Sequence, residues 1–245
     1  SDLGLASITH IAKYIQPGID LITLDPKLSS TIIGREAFQD EVAMAEAAGR
    51  LALDIGVYNQ EGCLNARVVY VQTGTDAKGL AAADRFAQLV FDAIQALPPR
   101  LSGPAKAIAP ALAQEMEGLR YAGDLYKVVG GGGRGAVIVS HQDEPVEFSA
   151  LLQTRVANLV PVDELDTPIR AVNAYTQTIG IYPDSLIPQI RDRLAFHGAQ
   201  RLVSLGYATR RVVAGPSDGI EPLRRMCKWI LHETYDPAVV PPIPA

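Results

Sequence analysis

An open α/β fold, with helices covering a largely parallel sheet, is what this sequence predicts, and two observations carry the prediction. Segments with apolar residues at steps of three and four alternate repeatedly with short β-branched runs, the pattern of covering helices and buried strands. Proline and glycine separate them, at Gln16-Pro17-Gly18, Asp25-Pro26 and Pro98-Pro99, where one element stops and the chain turns into the next. With 245 residues, 48% hydrophobic and 20% charged, the chain has enough apolar material for a large core. No internal repeat is evident.

In order, residues 5–15 have helical spacing and residues 19–24 read as a short apolar strand. Residues 35–58 form a long helical pattern in which Phe38, Val42, Ala45, Ala48, Ala52 and Ile55 share one face. The β-branched run Arg67-Val68-Val69-Tyr70-Val71-Gln72 predicts a buried strand. Residues 78–97 are helical, presenting Phe86, Leu89 and Val90, and residues 105–119 are helical with a break near Pro110. Strands are expected at 125–129, 136–140 and 155–162. Asp166-Thr167-Pro168 starts a helix expected to reach residue 176, by a capping side chain followed by proline in the first turn. A strand at 178–182, a helix at 184–197, a strand at 201–205, an amphipathic helix at 219–233 and a proline-rich tail complete the reading.

The formal charge of −5 and the absence of a Lys/Arg-rich block argue against a nucleic-acid partner. No apolar run approaches the roughly 20 residues that cross a bilayer, and no leader is read at Ser1, so a cytoplasmic location is expected. Cys63 and Cys227 lie too far apart in sequence to suggest a disulfide framework or a zinc site, and His10, His141, His197 and His232 are scattered without metal-ligand spacing.

Chemistry is expected at Asn59-Gln60-Glu61-Gly62-Cys63-Leu64-Asn65-Ala66, where one thiol sits on a tight connection between a helix and a strand. A free cysteine is most often a small core residue, but the polar run before Cys63 and the adjacent Gly62, which lets backbone and substrate approach, favour a nucleophile. A thiolate needs a positive environment, whereas a preceding helix offers only its negative C-terminus, so activation must come from tertiary structure or a bound group. Gly130-Gly131-Gly132-Gly133-Arg134-Gly135 leads into a strand rather than a helix and lacks Lys-Ser/Thr, so it reads as a flexible loop, not a phosphate cradle. Arg210-Arg211 and Arg224-Arg225 read as solvated surface and Cys227 as a packing residue.

Taken together, Asp25-Pro26-Lys27-Leu28-Ser29, Gln60-Glu61-Gly62-Cys63, Ala66-Arg67-Val68-Val69-Tyr70-Val71, Asn158-Leu159-Val160-Pro161-Val162-Asp163, the segment from Ala171 to Tyr182 and Arg201-Leu202-Val203-Ser204-Leu205-Gly206 resemble the aldehyde dehydrogenase superfamily. The likeness is greatest to its acyl-CoA reductase branch, the fatty acyl-CoA reductases of bacterial luminescence, and covers nearly the whole chain. It implies an aldehyde-dehydrogenase-like catalytic domain at 29–206, preceded at 1–28 by the last helix and strand of a nucleotide-binding domain and followed by a C-terminal helix and tail at 207–245. On this reading the chain is a C-terminal portion.

By the same resemblance, Cys63 would accept an acyl group from acyl-CoA or another acyl thioester as a covalent intermediate. Reduction by NADPH would then release an aldehyde. The superfamily's general-base glutamate falls on Thr23, and its loss fits a reductase, which needs no hydrolytic water. The Cys63 backbone N–H would be one donor to the carbonyl oxygen, the second being an asparagine of the missing domain. Gln60, Asn65 and Lys27 are positioning candidates. A homo-oligomer and an acyl-transferring partner protein are expected as well. Two other readings stay open: a thiol acyltransferase or acyl carrier without redox chemistry, and a non-catalytic assembly domain.

Overall fold

The computed structural model describes residues 2–210, 212, 215–236 and 238–239, with side chains from residue 6 onward. Its centre is a seven-stranded sheet in the order β3-β4-β5-β2-β1-β6-β7, formed by β1 (Leu28–Ile33), β2 (Ala66–Val71), β3 (Tyr126–Gly130), β4 (Ala136–Ser140), β5 (Val156–Pro161), β6 (Thr176–Tyr182) and β7 (Arg201–Ser204). Neighbouring strands are parallel except β3 and β4, which form an antiparallel hairpin at one edge.

The helices are α1 (Asp2–Ala12), α2 (Glu41–Gly56), α3 (Ala77–Gln95), α4 (Pro110–Tyr121), α5 (Asp166–Ala171), α6 (Ile187–His197) and the short α7 (Pro222–Arg225), of which α2 to α6 cover the sheet. Local sequence sets their ends. Asp40 starts α2 by accepting from the Val42 and Ala43 N–H groups, and Asp76 starts α3 by accepting from Gly79 N–H. Proline opens α4 and α6, and Gly198, with φ of 113°, closes α6 in the left-handed region.

One face of the sheet packs α2 and α3 onto Ile33, Val69, Val71, Val137 and Leu159. On the other face, α5 and α6 cover Ile32, Ile179 and Ile181, while α4 covers Ala136, Ile138 and Val156. Between those two packets lies a small cluster of Tyr70, Val160 and Val162 with Val68 beside it, to which no helix contributes a residue.

The fold class and most elements agree with the sequence. The differences have physical causes. The strand expected at 19–24 does not form: Ile19 and Leu24 are exposed, and the chain from 15 to 27 has no ladder partner. The strand is instead Leu28–Ile33, whose Leu-Ser-Ser-Thr start hid it. It is central, paired on both sides, with Ser29 and Thr31 buried. The helix expected at 219–233 is reduced to Pro222–Arg225, because Leu223, Met226, Trp229 and Ile230 are exposed and nothing among the described residues receives an apolar face. The long helix stops at Gly56, two residues before the expected end, and the helix at 166 stops at Ala171, which frees Thr176 to begin β6. Pro110 is not a kink but the first residue of α4. Arg211 and the tail beyond 239 lie outside the described residues. Among those described, no helix is long and apolar enough to cross a membrane.

Candidate active site around Cys63

Because the sheet is parallel around β1 and β2, the chain enters both strands at the same edge, and the thiol segment lies there, immediately before β2. The approach is irregular. Tyr58, Asn59 and Gln60 have φ of 57°, 52° and 64°, three consecutive non-glycine residues in the left-handed region. Such conformations cost on the order of 1–3 kcal/mol each and persist only where surrounding contacts enforce them. Here Tyr58 N–H donates to Leu101 carbonyl at 2.9 Å, and Asn59 Oδ1 accepts from Ser102 Oγ and Gly103 N–H.

Gln60 and Asn65, both fully buried, brace the two ends of the segment. The Gln60 amide donates to the carbonyls of Ala66 and Val156 and accepts from Val156 N–H, each at 2.8 Å, tying the turn to the start of β5. Asn65 Nδ2 donates to the carbonyls of Asp54, Ile55 and Val57, and its Oδ1 accepts from Gly62 N–H at 3.0 Å. The carbonyls ending α2 are therefore engaged by Asn65, which partly neutralises the negative helix end that sequence reasoning placed against the thiol. Gly62 is needed for closeness: a Cβ there would sit 2.9 Å from Asn65 Oδ1.

Cys63 is half-buried. Its carbonyl accepts from Ser29 Oγ at 2.6 Å, and Ser29 Oγ in turn accepts from Thr178 N–H at 3.2 Å, so β1 and β6 both hold the thiol residue. Among the described residues nothing accepts from the Cys63 backbone N–H. Lys27, the third positioning candidate, is half-buried ahead of β1, and unlike Gln60 and Asn65 its side chain makes no hydrogen bond or ion pair among the described residues.

Two participants were not assigned a role from sequence. Ser29 was one letter in a junction motif. Arg67 sits where the β1–β2 register steps from Ser29↔Ala66 to Ser30↔Val68, so it is the extra residue of a β-bulge. Its guanidinium donates to the carbonyls of Leu152 at 2.8 Å, Asn65 at 3.3 Å and Gly62 at 3.5 Å, bracketing Cys63 on both sides. Burial disfavours the charged guanidinium, and proximity to Cys63 favours it. The signal in the sequence was a lone cation inside a β-branched run.

Two cavities border the segment. One, of about 230 Å³, is lined by residues that include Leu64, Gln177, Gln200 and Arg201, and the Oε1 atoms of both glutamines are buried with no donor among the described residues. The other, of about 260 Å³, is a mostly apolar groove to which Ser29 and Arg67 contribute. Neither has the glycine-rich turn opening a helix that would cradle a dinucleotide's pyrophosphate. The one glycine run, Gly130 to Gly135, turns back into an antiparallel strand. Nearby, Asp54 is buried and accepts from the N–H groups of Gly206 and Ala208. Burial raises its pKa to about 6, against the lowering effect of those bonds and of Arg201.

Comparison with known proteins bears on the family and the fold. The profile of the family described as "Acyl-CoA reductase (LuxC)" matches residues 4–229. The chain is similar to the long-chain acyl-protein thioester reductases of Aliivibrio fischeri (30% identical over 240 residues) and Photorhabdus luminescens (28% over 235). Both matches cover 94% of this chain and 45% of the relative, so the chain spans about half the length of these relatives. Among solved structures, an NADP-dependent glyceraldehyde-3-phosphate dehydrogenase from Bacillus halodurans C-125 superposes with a TM-score of 0.60 at 14% identity, over 86% of this chain and 44% of that one. A benzaldehyde dehydrogenase from Corynebacterium glutamicum gives 0.53 at 15%, over 82% and 44%. These two establish the aldehyde dehydrogenase fold.

Proposed function

The chain belongs to the acyl-CoA reductase (LuxC) family, and on that premise we propose that it is the acyl-accepting portion of a reductase that converts long-chain fatty acyl thioesters to aldehydes. The observation that carries the reading is the construction around Cys63: a half-buried thiol on a strained turn whose backbone is held by Ser29, Gln60, Asn65 and Arg67 at once. Placing a nucleophile within a fixed geometry lowers the entropic part of the barrier.

The Cys63 sulfur attacks the thioester carbonyl carbon, forming a carbon–sulfur bond, and the bond to the incoming thiol carrier breaks. The carrier leaves as a thiolate that takes up the proton Cys63 has lost. Charge developing on the carbonyl oxygen is met by the uncommitted Cys63 N–H. The Arg67 guanidinium adds positive charge beside the segment. One thioester is exchanged for another, so the step needs no redox partner. NADPH is the reductant proposed for the whole protein. Among the described residues no glycine-rich turn opens a helix to hold its pyrophosphate. Acyl-CoA and an acylated carrier protein both present the required thioester.

Incubation of the chain with tetradecanoyl-CoA, without nicotinamide, tests the reading. Intact mass is expected to rise by one acyl group, and Cys63→Ala to abolish the gain. A Cys63 that alkylates readily but never acquires an acyl group would overturn it.

A further inference from the structure

The groove beside the thiol segment has no assigned occupant. It lies over the Tyr70–Val160–Val162 cluster, the strip of sheet left between the α5–α6 packet and the α4 packet. Its walls include Leu28, Val68, Tyr70, Pro145, Pro168 and Val172, and its volume is about 260 Å³. Val68 is half-buried although it is mid-strand in a central strand, because its side chain borders this groove.

The exposed lining is mostly apolar, with Ser30, Ser149, Asn173 and Thr176 contributing polar groups, and two further polar residues link the groove to the thiol segment. Ser29, whose hydroxyl binds the Cys63 carbonyl, lines the groove, and so does Arg67, whose guanidinium binds the carbonyls of Gly62 and Asn65. The bulge in β2 is what makes this possible: the additional residue lets Arg67 and Val68, consecutive in sequence, both border the same groove. A mostly apolar cleft that shares Ser29 and Arg67 with the segment carrying a nucleophile matches a linear hydrocarbon with a polar head.

We propose that this groove receives the hydrocarbon chain of a fatty acyl group whose carbonyl is presented to Cys63. The proposal rests on the acyl-transfer reading above and specifies where its substrate's chain lies. Continuity with the thiol segment through Ser29 and Arg67 selects this occupant over a peptide segment or a second copy of the chain, neither of which would need a groove that shares residues with the nucleophile's turn.

Cys63→Ser separates chain binding from thiol chemistry. In that background a fluorescent long-chain fatty acid is titrated and then displaced with tetradecanoate or butanoate. Each buried methylene tightens binding about fourfold, so tetradecanoate is expected to displace the probe at concentrations lower by about a hundredfold or more. Val68→Trp fills the groove floor, and Ala171→Trp narrows it from the exposed end of α5. Each is expected to weaken probe binding by about tenfold or more with the circular dichroism spectrum and urea midpoint retained. The Ala171 variant preserves the test if the Val68 variant fails to fold. Absence of probe binding, equal displacement by both acids, or full affinity in a folded filled variant overturns the groove assignment. The acyl adduct on Cys63 is measured separately with butanoyl-CoA: an adduct without groove binding overturns the groove assignment and leaves the thiol reading standing, and groove binding without an adduct sinks the thiol reading and with it the presentation of the carbonyl to Cys63.

Discussion

Ser29 donates its hydroxyl proton to the Cys63 carbonyl across 34 residues of sequence, at 2.6 Å. The same oxygen accepts from Thr178 N–H, so one side chain on β1 joins the thiol turn to β6. Ser29→Ala removes a donor and an acceptor together and leaves the buried Thr178 N–H unpaired. Such a loss costs about 1–3 kcal/mol. Urea unfolding is expected to show a destabilisation of that size, and Cys63 acylation by tetradecanoyl-CoA to slow, while Ser29→Thr keeps the hydroxyl and recovers part of both. An alanine variant as stable and as readily acylated as the parent would show that the bond is incidental.

The middle of the fold was legible because its signals are local. The helices α2 and α3 announced themselves by period, and β2, β4, β5 and β6 by β-branched composition; Asp166-Thr167-Pro168 marked the start of α5, although Asp166 is its first helical residue and no side chain caps it. Leu28–Ile33 escaped because a central strand with serine and threonine inside depends on partners rather than pattern: the Ser29 hydroxyl is satisfied by Cys63 and Thr178, both remote in sequence. The C-terminal pattern failed in the opposite way. Leu223, Met226 and Trp229 have helical spacing, but periodicity states only that a face exists, not that anything covers it.

At the site, Cys63 stood out because a thiol next to Gly62 in a polar run is conspicuous in sequence alone. Arg67 did not, since its part depends on a register step between β1 and β2 that no single strand reveals. Gln60 and Asn65 were marked as near the thiol, yet what they hold, the start of β5 and the end of α2, appears only when the chain closes on itself.

Gly62 gives a sharper test of that closure. A methyl group at residue 62 would lie 2.9 Å from Asn65 Oδ1, and Asn65 cannot retreat without giving up donors to Asp54 and Val57 at 3.0 and 2.9 Å. Gly62→Ala is therefore expected to destabilise the chain by about 1–3 kcal/mol and to change the alkylation rate of Cys63 by a small thiol reagent. Combined with Asn65→Ala, which removes the obstructing oxygen, the two losses should be less than additive. Additive effects in the double variant would place the cost of Gly62→Ala elsewhere.

Asp54 predicts a pH dependence. Its pKa is about 6 in the folded chain against 3.8 for an ordinary aspartate, raised chiefly by burial. The folded state thus binds this proton more tightly than the unfolded state. The contribution to stability is fully present below the unfolded pKa and is lost as pH rises through about 6, with a total of order 3 kcal/mol for two pKa units. Above that range the carboxylate remains charged and is held by the N–H groups of Gly206 and Ala208. Asp54→Asn cannot titrate, and it offers one oxygen to those two donors, so it should be less stable than the parent at about pH 4, with the gap narrowing toward about pH 7. Urea midpoints of the two proteins measured across that interval decide it: parallel curves would mean that Asp54 is not the group whose buried charge sets the slope.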